Sequence, residues 1–455
     1  MITGKDLIEM GFKPAQWFKD VIVHINLYNL EGKEMMEYIE SIIPEEIIML
    51  PLKEQPVQFY ENIIADTDVE KENLSAVKES MNVIMRTPTV VSGAIMPDAC
   101  PAGSVGTIPV GGVVVAKNAI HPSMHSSDIC CSLFLTDLGK VDPKSILDMA
   151  HNITHFGAGG RPRGKQFKIP VDIFNEFKEN PFLNSDRSLS MAQEQLGTQG
   201  DGNHFLFVGI SKKTGNTVLV THHGSRGVGA MLYRIGMKTA EKFRRKLSKD
   251  TLPQNAWIPF DTEEGQDYWN ALQTMRKWTK QNHYVIHNEI CKNLDISFVN
   301  RFWNEHNFVF KDGDLFYHAK GATPVNKKYL QDVGPQIIPL NMSEPILIVE
   351  GDTTETNLGF APHGAGRNLS RTKHKNANSE KTKEQIFKEE TAGIDARFFS
   401  KEIDISELPS AYKNATTVKE QIEKFNLCNV IDEILPYGCI MAGGSDNAHW
   451  KKKRK

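Results

Sequence analysis

Four histidines share one setting. His204, His222, His318 and His363 each lie beside a glycine-rich turn, next to a short apolar run. Asp128 and Cys131 stand just before the apolar run Leu133-Phe-Leu135. Imidazole, carboxylate and thiolate are side chains that ligate metal ions. A strand-end loop holds such groups well, because the rigid strand fixes the loop. Taken alone, any one of these histidines reads as a hydrogen-bonded turn residue. Taken together, the histidines, Asp128 and Cys131 point to a centre for one or two divalent ions.

Glycines and arginines accompany them. Gly197, Gly200 and Gly202 lead up to Asn203-His204, and Gly364, Ala365 and Gly366 follow His363. A residue without a Cβ lets backbone N–H groups come close to a phosphate. A lone Gly-x-Gly is equally an ordinary tight turn. Arg226 and Arg367 lie within these turns, and a guanidinium grips phosphate through a rigid fork of donors. Two arginines in like positions suggest a phosphate-bearing substrate.

Other groups carry a weaker signal. His283 and His287 are four apart on a predicted helix and share a face; without the glutamate of a zinc-protease motif they read as a surface or core pair. His121 and His125 precede Asp128 and are candidates to stand near the metal. In the adjacent pairs His222-His223 and Cys130-Cys131, side-chain alternation lets one member at most point at a given ion. Arg161, Arg163, Lys165 and Lys168 share a Gly- and Pro-containing loop. That loop reads either as a track for an RNA backbone or as a solvated surface.

Rigid elements must position these groups. From Ser92 to Leu138 the chain is rich in Gly, Pro and small residues, which predicts short buried strands joined by tight turns. Phe205 to Val208 and Thr217 to Thr221 read as strands, as do Asp314 to His318 and Pro345 to Val349. Met231 to Leu247 and Gln266 to Leu294 read as helices, and 372–390 as an exposed helix. The first ~85 residues show little hydrophobic periodicity.

Composition sets the bounds. The chain has 455 residues, enough for a sizeable core. A net charge of −3 means that any nucleic-acid binding needs a local basic surface. The run Lys451 to Lys455 reads as a solvated, disordered end. The longest apolar runs are too short to span a bilayer, the start lacks the regions of a signal peptide, and the six scattered cysteines suit a reducing compartment. These features predict a cytoplasmic protein with no membrane partner.

The motifs also form a set. Met96-Pro-Asp98, Gly111-Gly112, Asp128-Ile-Cys-Cys131, Gly197-Thr-Gln-Gly-Asp-Gly-Asn-His204, His222-His-Gly-Ser-Arg-Gly227, His318-Ala-Lys-Gly-Ala322 and His363-Gly-Ala-Gly-Arg-Asn-Leu-Ser-Arg371 resemble, in content and order, the RtcB family of RNA-splicing ligases. The resemblance implies an α/β (α+β) fold, a single large catalytic domain with central β-sheets flanked by helices. It would occupy 91–445, with 1–90 as a peripheral region of the same domain and 446–455 as the basic tail. It implies that Asp128, Cys131, His204, His222 and His318 hold two manganese ions bridged by Cys131, whereas ligand softness alone suggests zinc. It implies that His363 takes GMP from GTP, with Asn203, Gly364, Ala365, Gly366, Arg367 and Tyr412 around the nucleotide. Arg226, Arg367 and Ser370 would lie around the phosphates. The implied reaction joins RNA 3′-phosphate or 2′,3′-cyclic phosphate ends to 5′-hydroxyl ends, in RNA repair or tRNA splicing, with an archease-type protein as an activating partner.

The chain departs from that family where the base would lie. An acidic residue three positions after the Asn-His histidine is replaced by Phe207. Met441 stands in place of a lysine, and Glu350-Gly-Asp-Thr-Thr-Glu355 replaces a serine-rich loop. Apolar side chains do not supply the hydrogen bonds that read a base. Further departures are His121-Pro-Ser-Met-His-Ser-Ser127 and Cys100, which mark a divergent branch. Two other functions use the same residues: a metal-dependent phosphohydrolase acting on RNA ends, and an inactive RNA-binding paralogue.

Overall fold

Alternating apolar residues build the two larger sheets among the described residues, and strand ends in the wider one carry the chemistry. The computed structural model describes residues 1–42, 49–330 and 334–444. The basic tail predicted at 446–455 lies outside the described residues. Two compact units form, Met1–Met49 and Leu50–Lys455, so residues 50–90 fold as part of the larger unit.

The smaller unit is helical, although low periodicity was expected here. Helices Gly4–Glu9, Trp17–Tyr28 and Gly32–Ile42 enclose Leu7, Phe18, Val21, Ile25 and Ile39. Phe18, Val21 and Ile25 follow helical spacing and share a face. Asn29 takes the left-handed conformation, with φ 51°, and closes the second helix.

The larger unit mixes strands and helices, as an α/β (α+β) reading requires. Its wider sheet runs in the order Gln336–Ile338, Ile346–Glu350, Asn429–Met441, Phe205–Ser211, Thr217–His223, Ser132–Asp137 and Asn300–Glu305. These neighbours are antiparallel, and Asp395–Phe398 joins Asn429–Met441 in parallel. The second sheet runs Tyr60–Glu61, Val90–Cys100, Val110–Lys117, Leu315–Lys320 and Asn307–Asp312. The chain crosses from the first sheet to the second at His306, between Asn300–Glu305 and Asn307–Asp312. A two-stranded ladder pairs Ala322–Pro324 with Phe360–Pro362 and delivers the next residue, His363.

The helix Glu263–Leu294 packs on the wider sheet through a polar layer. His283 and His287, four apart, are both fully buried. They hydrogen-bond with Thr221, Ser132 and Thr136 at 2.7–3.0 Å. This is the core pair that their spacing allowed. The predicted helix at 372–390 is two helices, Arg371–Ala377 and Lys383–Glu390; the side chain of Thr382 caps the second.

One buried ion pair fixes the crossing. Arg276 of the long helix pairs with Glu305, the residue before His306, and donates to the Tyr329 carbonyl at 2.8 Å. Burial raises the Glu305 carboxyl above its ordinary range, and Arg276 opposes that shift. Removing one partner would leave the other charge unpaired in the core. Arg276→Met is expected to cost about 3–5 kcal/mol of stability, measured by urea denaturation, and Arg276→Met/Glu305→Leu is expected to cost less.

Candidate metal centre and nucleotide cavity

Strand register brings the candidate ligands together. Phe205 pairs with His222, and Ser132 pairs with both His223 and Glu305. Four neighbouring strands therefore end at one edge of the sheet. His204 precedes the first, His222 is the penultimate residue of the second, Cys131 precedes the third, and His306 follows the fourth. Backbone bonds hold the edge: His306 N–H donates to the Cys131 carbonyl at 2.9 Å, and Cys130 N–H to the Asn307 carbonyl at 2.7 Å. Cys130 is left-handed, with φ 57°, a strain of about 1–3 kcal/mol for a residue with a Cβ. It points into the core while Cys131 points at the cluster.

The distances would let these groups share an ion. Asp128 Oδ2 lies 2.9 Å from His204 Nε2, and Cys131 Sγ lies 3.6 Å from His204 Nε2 and 3.2 Å from His222 Nε2. His222 Nε2 and His306 Nε2 are 3.2 Å apart. Two groups, Asp128–Cys131–His204 and Cys131–His222–His306, each converge to within 4.8 Å and share Cys131. The electrostatics fit a cation. Burial first, then His204 and His363, pushes His222 down to about 3, so its imidazole is neutral and has a lone pair to give. Its Nδ1–H donates to the Asn203 carbonyl at 3.1 Å, which turns Nε2 toward the cluster. Burial and the Asp128 carboxylate push the Cys131 thiol well up, and a divalent charge at that point would reverse the shift. Burial pushes Asp128 up as well, but His204, with Cys131 and His222, outweighs this and holds the carboxyl at about 2.

His318 does not join the cluster, which corrects the expectation for that residue. Its Nε2 accepts the His121 backbone N–H at 2.9 Å and its Nδ1 faces the Val114 carbonyl at 3.3 Å. Both ring nitrogens are occupied, because residue 318 lies in the middle of a sheet and not at its edge. His306 takes the position instead. It was missed because no glycine turn accompanies it. The legible signal was Asn304-Glu-His-Asn307, a polar break between two apolar runs. His121 and His125 also stay outside the cluster, bonded to Thr89, Asn255, Ser126 and Tyr268.

His363 faces this edge. Its ring centroid lies 4.9 Å from that of His306. The buried carboxylate of Asp98 accepts from His363 Nδ1–H at 2.5 Å and from its backbone N–H at 3.1 Å. In the neutral tautomer that this bond orients, the lone pair is on Nε2. In the sequence Asp98 lies 265 residues before His363, in Met96-Pro-Asp98, and no local pattern signals this contact. Gly366, at φ +73°, is required there: a Cβ would lie 2.2 Å from the Asp98 carbonyl oxygen.

His306 and His363 line a cavity of about 800 Å³, together with Asn203, Gly364, Ala365, Gly366, Arg367, Ser370 and Tyr412. Among the arginines, Arg367 donates to Glu407 at 2.6 Å, to the Ser406 carbonyl at 2.5 Å and to the Tyr412 hydroxyl at 3.1 Å. Arg371 pairs with the same Glu407. Arg226 is not part of the lining; it donates to Thr198 at 3.1 Å and to the Gly157 carbonyl at 2.5 Å, and so supports the Thr198–Gly200 turn. Arg161 likewise donates to the Gly197 carbonyl, leaving Arg163, Lys165 and Lys168 exposed. Opposed strands place Phe205 beside Met441 and Phe207 beside Cys439. With Leu340, Met342 and Ile346 these residues give the cavity an apolar wall.

The geometry separates two histidines that sequence treats alike. His306→Ala is expected to weaken divalent-ion binding by more than the roughly 10–100-fold typical of an outer-sphere partner, and His318→Ala is expected to retain it. Metal content after dialysis, compared between the two variants, checks this.

Comparison with known proteins gives the family. The family model described as tRNA-splicing ligase RtcB matches residues 174–442, more than half of the chain, and the match includes His204, His222, His306 and His363. Proteins named tRNA-splicing ligase RtcB are similar to it. That of Aeropyrum pernix is 28% identical over 288 residues, 54% of this chain and 59% of that protein. That of Nanoarchaeum equitans is 25% identical over 437 residues, 80% of this chain and 90% of that protein. That of Methanocaldococcus jannaschii is 28% identical over 302 residues, 56% of this chain and 30% of that protein. The chain thus spans less than two thirds of the length of some of these relatives. With the family model matched across the sheet edge that carries three of the clustered histidines and across His363, the chain belongs to the RtcB family.

Proposed function

We propose that this protein is an RNA ligase that joins 3′-phosphate or 2′,3′-cyclic phosphate ends to 5′-hydroxyl ends through a nucleotide carried on His363. The observation that carries the reading is the His363 imidazole, oriented by buried Asp98 and facing His306 of the ligand cluster inside one cavity. A cavity of this size accepts a nucleotide.

The chain's own residues suit each step. Asp98 holds the proton on Nδ1, so Nε2 is the nucleophile. Nε2 bonds to the α-phosphorus of a nucleoside triphosphate and the bond to pyrophosphate breaks. An RNA 3′-phosphate oxygen then displaces the imidazole, and the activated end is attacked by a 5′-hydroxyl as the nucleoside monophosphate leaves. A cyclic phosphate end is first opened by water. Asp128, Cys131, His204, His222 and His306 would hold two divalent ions with Cys131 between them; when bound, these neutralise charge on the phosphate oxygens. Manganese is the ion proposed on the family resemblance.

The donor is GTP on the same resemblance, with a base read by shape. Phe205, Phe207, Met441 and their neighbours offer apolar contact and no hydrogen-bonding edge. Apolar pockets discriminate by about 10–200-fold, far less than hydrogen-bonding ones.

Incubation with manganese and each α-labelled nucleoside triphosphate tests the reading. Label is expected on the wild-type protein and none on His363→Ala. Asp98→Asn is expected to label on the order of a hundredfold more slowly or worse. GTP and ATP are expected to differ by about a hundredfold or less. No label with any of the four nucleotides would refute the proposal, and release of 3′-phosphate without label would favour a phosphohydrolase.

A further inference from the structure

The helix Arg226–Leu247 starts at the candidate metal centre. Its cap residue Ser225 donates its backbone N–H to the Ile129 carbonyl at 3.1 Å. A Cβ on Gly224 would lie 2.0 Å from Asp128 Oδ1. From there the helix runs outward with a buried face made by Leu232, Gly236 and Ala240. Opposite that face, Arg234, Lys238, Lys242 and Arg245 are exposed, with Lys246 at the edge. At about 100° per residue the first four fall within an arc of about 80°, and they span about 16 Å of helix. The stripe begins about 12 Å beyond Arg226.

Ordinary helix chemistry explains only part of this. Cations in the last turn favour the negative end of the helix dipole. Arg244 is taken up by the chain that follows the helix, donating to the carbonyls of Lys249 and Thr251, and it pairs with Glu241. Arg245 also pairs with Glu241. Arg234 and Lys238 lie mid-helix, outside the reach of the terminal dipole. Among the described residues, no ion pair joins Arg234, Lys238 or Lys242 to a carboxylate. In a chain of net charge −3, this is a local basic track rather than a general excess.

We infer that this face of the helix binds the phosphate backbone of the RNA strand whose end is held at His363. The inference rests on the ligase reading for its substrate. The supporting features are charge complementarity, spacing and continuity: successive cations at i, i+4 and i+8 recur about every 6 Å, and the helix that carries them abuts Asp128. Such contacts position a strand without reading its sequence.

The test uses the full-length protein, a 5′-hydroxyl, 3′-phosphate oligoribonucleotide of about twenty nucleotides, and fluorescence anisotropy across a salt series. Each neutralised phosphate on a single strand contributes about −0.7 to the slope of log affinity against log salt. Arg234→Gln/Lys238→Gln/Lys242→Gln is expected to make the slope shallower by about 2 and to weaken binding about tenfold at low salt. Nucleotide labelling of His363 should be unchanged, which also shows that the variant folds. Lys381→Gln/Lys383→Gln/Lys388→Gln on the 371–390 segment serves as the control and should leave the slope as it was. An unchanged slope in the helix variant would overturn the inference while leaving the ligase reading intact. Equal losses in the two variants would also overturn it. Displacement of the RNA by polyglutamate of equal charge would assign the stripe to acidic proteins instead. RNA that fails to bind the wild-type protein would sink both readings, whatever the labelling shows.

Discussion

The antiparallel register of four strands is the constraint on which the rest of the site depends. Pairing Phe205 with His222, and Ser132 with both His223 and Glu305, brings the strand ends to one line. Only then do residues from chain positions as far apart as 131 and 306 meet within bonding distance of a common point. A slip of one residue would turn each side chain to the opposite face. It would send His222 into the core and bring His223 to the cluster. The apolar side chains of the two sheet faces oppose such a slip, since it would expose Leu133, Leu135 and Val220 to the polar layer and bring polar residues into the core.

That polar layer is the second support. Behind the cluster, His283 and His287 bond with Thr221, Ser132 and Thr136, and His223 stacks on His283 at 3.5 Å. Asn282 of the same helix accepts from Gly197 and Thr198 N–H and donates to the Thr198 carbonyl. The long helix thus grips both the strands and the glycine loop that leads to His204. Buried polar groups are costly when unpaired and directional when paired, so this layer specifies position where an apolar layer would permit sliding. Burial holds these histidines well below the ordinary imidazole range, and the layer stays uncharged close to the clustered ligands.

The cavity divides by chemistry. One part presents His363 with Asp128, Cys131, His222 and His306; another presents Phe205, Phe207, Met342 and Met441. Glu407 forms a hub beside them, binding Arg367, Arg371 and the Tyr412 hydroxyl. The arginine next to the histidine motif is therefore committed to a buried carboxylate, and the Arg367 guanidinium also lies over the Tyr412 ring at 4.6 Å. Two guanidiniums thus share one carboxylate, and this side of the cavity keeps one positive charge in excess.

Local chemistry was legible in the sequence. Asp128, Cys131, His204 and His222 were recognisable because each lies at the end of an apolar run, where alternation and turn residues mark a strand end. The strands near 205 and 217 and the two long helices followed from the same periodicities. The order of the motifs identified the family. The sequence could not distinguish His306 from His318, because both adjoin apolar strands and only His318 has the glycine turn. That choice depends on which strand stops at the shared edge and which runs through the middle of the other sheet, a property of pairing between segments far apart in the chain. The pairing of Asp98 with His363, the diversion of Arg226 and Arg367 into structural bonds, and the gathering of Phe207 and Met441 into one wall are of the same kind. The residue types and their local settings are written in the sequence; which of them meet is decided by long-range register and burial, which no local pattern encodes.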